Sequence, residues 1–113
     1  MALALNVFQT VTSVVTTNPV GIYTAPTGYS SIVLLAQVAN VGSETYTVTV
    51  SHQRSTTGTA VTTEIVKNFP VSANDTVSIT SGKLVLESSD VLVLSGNNAS
   101  NLKCIVSVLE TLN

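Results

Sequence analysis

The sequence predicts an all-β protein, a β-sandwich of about eight or nine short strands in a jelly-roll or immunoglobulin-like order. Three observations support this prediction. Val, Thr and Ser supply 19, 17 and 14 of the 113 residues, and they occur in short runs. Several runs alternate apolar and polar residues, which is the period of a strand with one buried face. Clusters of Gly, Pro, Asn and Ser separate the runs, whereas helix formers in helical spacing are nearly absent.

The runs define nine predicted strands, the first of them bent or split near Thr10. In chain order the predicted strands are Ala2–Thr17, Gly21–Ala25, Ser30–Ala39, Thr45–Gln53, Ala60–Phe69, Asp75–Thr80, Lys83–Glu87, Val91–Ser95 and Leu102–Glu110. The fourth strand shows the alternation clearly, because Tyr46, Val48 and Val50 are separated by hydroxyl residues. We expect these three side chains to face the core and the hydroxyl residues to face solvent.

Two strands and two connections carry further information. The strands at 30–39 and 102–110 are apolar on both sides, as in a central strand that is covered from two directions or meets a neighbouring subunit. The segment Ala25-Pro26-Thr27-Gly28 predicts a tight turn, because Pro fixes φ and Gly permits positive φ. The polar stretch Arg54–Thr59 is predicted to be the exposed tip of a hairpin.

Size and charge limit the possible functions. A chain of this mass buries about two thirds of its surface, which is enough for one domain spanning residues 1–113. The four basic residues lie at least 13 positions apart, so the clustered cations of a nucleic-acid-binding protein are missing. No apolar run approaches the roughly 20 residues of a membrane helix, and residues 1–6 do not resemble a signal peptide. We expect a cytoplasmic origin, with neither nucleic acid nor membrane as a partner. So few charges are unusual for a free monomer and favour assembly.

The candidates for chemistry are few, and we predict no catalytic residue, no cofactor and no metal site. His52 is the single histidine, so a Ser-His-Asp triad would depend on it; we expect it to end a strand on the solvent face. Cys104 lies in an apolar strand and is predicted to be a buried hydrophobic side chain. Glu87 and Asp90 flank a turn, where Asp90 is expected to hydrogen-bond nearby backbone groups rather than to act in a glycosidase pair.

Three blocks of the sequence resemble a known family. They are IYTAPTGYSSIVLLAQVANV at 22–41, GKLVLESSD at 82–90 and SVLE at 107–110. In this order and spacing they are similar to small virion proteins of tailed phages, especially phages of marine cyanobacteria. The blocks extend over most of the chain, from Ile22 to Glu110.

The resemblance implies an all-β, non-enzymatic structural protein of the virion, assembled in the host cytoplasm with other virion proteins as partners. A capsid decoration (cement) protein is the leading hypothesis, with a trimer expected by analogy and the strand Ala2–Thr17 expected to contribute to subunit contacts. The alternatives are a neck, tail or baseplate protein, a receptor- or carbohydrate-binding tip that uses the Arg54–Thr59 stretch, and a small hydrolase built on His52. Lys83, Glu87 and Glu110 are expected to be contact or framework residues. The candidate partner contacts are Arg54, Thr56, Thr57, Lys83 and Glu87.

Overall fold

The computed structural model describes residues 6–56, 59–80 and 82–112, which form two packed antiparallel sheets. The predicted β-sandwich is therefore confirmed. The strands of the described residues are β1 (Asn6–Val14), β2 (Val20–Thr24), β3 (Tyr29–Asn40), β4 (Tyr46–Thr56), β5 (Thr59–Val71), β6 (Thr76–Ser78), β7 (Leu84–Leu86), β8 (Val91–Gly96) and β9 (Leu102–Leu112). Each corresponds to one predicted strand, although residues 2–5 of the first prediction lie outside the described residues.

The strand order distinguishes between the two predicted sandwich types. Sheet A has the order β1-β9-β3-β6, with β7 also paired to β3, and sheet B has the order β2-β8-β4-β5. Because β6 pairs with residues 37–39 of β3 and β7 with residues 31–33, these two short strands act as halves of one strand. The result is two four-stranded sheets whose neighbours are mostly distant in sequence, which is the jelly-roll arrangement.

The core lies between the two sheets and consists mainly of Val and Leu. Val48 and Val50 of sheet B and Val106 and Val108 of sheet A are fully buried. Along β9, buried positions alternate with exposed or half-buried ones, as predicted from the period-two pattern. Cys104 belongs to the buried set, which confirms its predicted role as an interior side chain.

Of two predictions about local structure, one is wrong and the other is confirmed with shifted strand ends. Strand β1 is not bent at Thr10, since it pairs with β9 without a register shift from Asn6 to Val14. The stretch Arg54–Thr59 does lie at the end of a hairpin, as predicted, since β4 continues to Thr56 and β5 begins at Thr59, with Arg54 opposite Val61. The two strands extend further into this stretch than the predicted bounds Gln53 and Ala60, because Thr residues are favoured on pleated strands.

The turn predicted at 25–28 forms one residue later. The Tyr29 amide donates to the Pro26 carbonyl at 3.0 Å, and Gly28 has a φ of 85°. Gly28 is the third residue of this turn, where the backbone is left-handed, and Gly adopts that conformation without the steric cost of a side chain. No helix that could span a membrane is found in the part of the chain that the structure describes.

Candidate functional site

Polar side chains converge at the end of the sandwich where β2 ends and β8 begins, and the Asp90 carboxylate lies at their centre. Asp90 is 2% exposed. The Arg54 guanidinium donates to both carboxylate oxygens, with Nε 3.1 Å from Oδ1 and Nη2 2.7 Å from Oδ2. His52 Nε2 lies 2.9 Å from Oδ2, and the Glu87 amide donates to the same oxygen at 2.9 Å. The predicted bond from Asp90 to local backbone is confirmed.

The strand period explains why His52 and Arg54 reach Asp90. Both lie at even positions of β4, on the face that carries Val48 and Val50, and His52 is opposite the fully buried Leu92 of β8. The prediction that His52 ends a strand on the solvent face is therefore wrong. Its side chain is 17% exposed, and it faces inward because a buried carboxylate is available as its partner.

The surrounding charges fix the protonation of Asp90. Its pKa is lowered to about 2, chiefly by the hydrogen bond from Arg54 and further by that from His52, against the opposing effect of burial. The ionised carboxylate only accepts hydrogen bonds, so His52 Nε2 carries the proton that it donates. The same contact raises the pKa of Arg54. Arg54 Nη2 also donates to Glu87 Oε2 at 2.7 Å, where the Glu87 side chain is 66% exposed.

This arrangement is suited to holding a turn and lacks the features of a catalytic triad. Asp90 is engaged by Arg54 and by the Glu87 amide as well as by His52, so its charge is already compensated before any reaction. The His52 ring is bound to Asp90 through Nε2, so the ring is turned toward the buried carboxylate. Within residues 6–56, 59–80 and 82–112, no group of three or more His, Cys, Asp or Glu side chains is placed to hold a metal ion.

A second buried polar cluster joins the two sheets. The Tyr23 hydroxyl of β2 donates to Glu110 Oε2 of β9 at 2.5 Å and lies 2.7 Å from the Ser31 hydroxyl of β3. Gln9 Nε2 of β1 donates to the other Glu110 oxygen at 3.2 Å. Burial and the Glu110 hydrogen bond raise the pKa of Tyr23 to about 12. This contact was not predicted from the sequence, although Glu110 shares the alternation of Val106 and Val108, whose side chains face the core.

The first two blocks of the family resemblance contact each other through their turns. The Ala25 amide donates to the Asp90 carbonyl at 2.9 Å, and the Ser89 amide donates to the Ala25 carbonyl at 2.9 Å. The Gly28 amide donates to Ser88 Oγ at 3.0 Å. Residues of these blocks, together with Glu110 of the third block, therefore maintain the framework at one end of the sandwich.

The candidate partner contacts are only partly brought together. Arg54 and Glu87 form an ion pair. Lys83 is exposed just before β7. Thr57 and the side chain of Thr56 lie outside the described residues. A role of these residues in binding a partner stays a prediction.

The fold and its buried polar clusters define a small jelly-roll protein held together across its two sheets. No protein-family model and no curated protein sequence matches the chain. Among solved structures, the acidic stable capsid structure of Helicobacter pylori bacteriophage KHP30 contains a similar chain, with a TM-score of 0.55 and 17% identity over 96% of this chain and 89% of that one. A chain of the Bacillus endospore appendages, a family of disulfide-linked pili, has a TM-score of 0.52 and 15% identity over 100% of this chain and 97% of that one. At these identities the likeness shows a shared fold.

Proposed function

We propose that this protein is a non-enzymatic structural protein of a phage virion that decorates the capsid surface. The observation that carries the proposal is the fold likeness to a chain of a phage capsid structure, which extends over 96% of this chain and 89% of the other. The three sequence blocks that resemble tailed-phage virion proteins support the same assignment independently. The closer likeness to phages of marine cyanobacteria rests on these blocks alone and stays a prediction.

The surface chemistry supports a permanent structural role. Charged residues make up 9% of the chain, and Asp90, the most buried of the charged side chains that the structure describes, is compensated by Arg54. A protein that binds a repeated lattice must remove water from a large contact surface, and each unpaired charge in that surface would cost desolvation energy. A surface of Ser, Thr and Val keeps this cost small.

The proposed setting determines the partners and the location. The protein would assemble in the host cytoplasm and remain in the virion, bound to other virion proteins as an oligomer of identical copies. Three copies are the expectation that the resemblance gives, and this number stays a prediction. The strand predicted at 2–17 is represented by β1, which pairs with β9 of its own sheet, so a subunit contact would use the outer face or the free edge of β1.

A neck, tail or baseplate location is the alternative within the same class of protein. A receptor-binding tip has weaker support, because Arg54 lies in a strand and its guanidinium is engaged by Asp90 and Glu87. A hydrolase built on His52 also has weak support, since Asp90 holds the ring inside the sandwich. A His52→Ala variant that lost a hydrolytic activity of the purified protein would favour that alternative.

The copy number in the particle tests the proposal. Particles of the phage whose genome encodes this chain should be purified, and the chain should be quantified by mass spectrometry and located in a cryo-electron microscopy map. Hundreds of copies on the shell are expected of a decoration protein. A number near three, six or twelve would instead indicate the neck, tail or baseplate. Purified particles without the chain would overturn the virion assignment altogether.

A further inference from the structure

The outer face of sheet A carries a continuous row of four apolar side chains. Phe8 of β1 is opposite Leu109 of β9, which is opposite Ile32 of β3, which in turn is opposite Val85 of β7. Partners in an antiparallel register project from the same face of a sheet. Phe8 is 74% exposed and Val85 is 53% exposed. The two ends of the row are thus open to solvent in the isolated chain.

The rest of this face is nearly uncharged. Leu35 and Ile105 are 37% and 38% exposed, and a shallow groove of about 570 Å³ lies beside Ile105 and Val14. Among the residues within the described strands that project from this face of sheet A, Lys103 carries the one charge, at the end opposite to the apolar row. Lys83 is exposed just before β7, at the edge of this face. Contiguous exposed apolar area of this kind is typical of an interaction site.

The outer face of sheet B has a different character. Its groove, of about 560 Å³, is lined largely by polar side chains, including Thr49, Gln53, Thr62 and Glu64. Both faces belong to the same sandwich, so the difference comes from the side chains at the outward positions of each sheet. The contrast indicates that sheet B faces water and that sheet A is covered in the working protein.

We infer that the outer face of sheet A binds the same face of a second copy of this chain. The face is about four strands wide at roughly 4.8 Å per strand and nine residues long at about 3.4 Å per residue, which gives about 600 Å² per copy. Two copies together would bury about 1,200 Å² of flat area, the lower limit for a stable specific interface. The inference rests on the part of the proposed function that expects identical copies to assemble, but it gives the assembly two copies in place of the three expected from the resemblance. It does not require the virion.

The position of Lys103 selects the symmetry of the pair. We place a twofold axis in the plane of the interface, perpendicular to the strands. This axis puts Lys103 of each copy near the Phe8 end of the other copy. The two Lys103 side chains are then about six residues, or roughly 20 Å, apart along the strand direction. The two positive charges then do not meet. A closed trimer would require this apolar face to contact a different surface, and the polar outer face of sheet B is a poor complement for it.

The test measures the mass of the purified full-length chain by light scattering during size-exclusion chromatography. The wild-type protein should have twice the chain mass of 11.7 kDa. Phe8→Lys and Val85→Lys should each weaken the pair about tenfold or more, because each places a charge in the apolar contact. Val61→Lys is the matched control, since Val61 is 58% exposed but lies on β5 of sheet B, and it should leave the mass unchanged.

Circular dichroism confirms that each variant keeps its β-sheet, and Phe8→Ser replaces any lysine variant that loses it. A wild-type mass of one chain or of three chains would overturn the inference. Lysine variants that stay paired as tightly as the wild type would also overturn it. None of these outcomes bears on whether the chain is present in virions, so failure of this inference is distinguishable from failure of the virion assignment.

Discussion

The Tyr23 hydroxyl donates a hydrogen bond to the Glu110 carboxylate at 2.5 Å, although the two residues lie 87 positions apart and on different sheets. Ser31 contacts the same hydroxyl, and Gln9 contacts the same carboxylate. Four strands of the sandwich, β1, β2, β3 and β9, therefore meet in one hydrogen-bond network around the buried Glu110 carboxylate. Such a network specifies how the two sheets are aligned, because a shift of either sheet would leave a buried carboxylate without its donors.

Removing the hydroxyl should therefore destabilise the fold. Tyr23→Phe leaves Glu110 and Ser31 short of a partner in a buried site, and we expect a loss of about 1–3 kcal/mol in the free energy of unfolding. Urea denaturation measures the loss. Tyr46→Phe is the control, since the Tyr46 hydroxyl accepts a long 3.5 Å bond from Asn101 at a half-buried position. Equal effects of the two substitutions would contradict the assigned role of Tyr23.

The same contact predicts sensitivity to alkali. The pKa of Tyr23 is raised from 10.0 to about 12 in the folded protein, so the folded state resists deprotonation more than the unfolded state does. Its contribution to stability is complete below pH 10 and is lost as the pH rises through 12. Ultraviolet absorbance should show one tyrosine that ionises later than the others, and Tyr23→Phe should abolish that late step. A late step that persists in the variant would refute the assignment.

Acid should act on the other polar cluster, through Asp90. Its pKa is lowered from 3.8 to about 2, so its contribution is complete above pH 3.8 and is lost as the pH falls through 2. Asp90→Asn removes the charge that Arg54 and His52 bind, and we expect it to cost roughly 1–3 kcal/mol at neutral pH. Thermal unfolding measured from pH 2 to pH 7 should show a shallower acid limb for this variant than for the wild type.

Glu87→Gln serves as the matched control for Asp90→Asn. Glu87 binds the same guanidinium at 2.7 Å, but its side chain is 66% exposed. Solvent screens such a pair, so the substitution should change the free energy of unfolding by at most about 0.5 kcal/mol. A larger loss for Glu87→Gln than for Asp90→Asn would show that the exposed pair, and not the buried carboxylate, holds the turn.

Cys104 should be unreactive in the folded protein. Burial raises the pKa of its thiol to about 11, and the side chain is 3% exposed. Both effects suppress the thiolate that reacts with disulfide reagents. At pH 8 we expect negligible labelling of the native chain by a chromogenic aromatic disulfide and one thiol per chain after denaturation in urea. Rapid stoichiometric labelling of the native protein would contradict the buried position.

Glycine tolerance should differ between Gly96 and Gly82. A Cβ atom at Gly96 would lie 2.7 Å from Leu102 Cδ1 and 2.9 Å from the Thr47 carbonyl oxygen. Because backbone cannot yield as easily as the end of a side chain, Gly96→Ala should cost about 1–3 kcal/mol. A Cβ atom at Gly82 meets nothing within 4 Å, so Gly82→Ala should be close to neutral. Urea midpoints that rank the two variants in the opposite order would be incompatible with this packing.

Local sequence patterns were sufficient to predict the strands of this fold. Strand formation depends on local properties, namely β-branched residues, a period of two and turn residues between the runs, and all three are visible in the sequence. For this reason the positions of β2 to β9 and the inward placement of Val48, Val50 and Cys104 could be predicted. The positive φ of Gly28 was predictable on the same local grounds.

The order of the strands in the sheets, and the polar groups that this order brings together, could not be predicted from local patterns. Pairing of β1 with β9 and of β2 with β8 joins residues far apart in the chain, and no local pattern encodes that choice. From the sequence, His52 and Arg54 were predicted at the exposed end of a hairpin. The sheet order instead places both side chains beside Asp90, whose buried charge requires a cationic partner. The apolar row from Phe8 to Val85 spans four strands, and it exists only because the strand register aligns four separate segments of the chain.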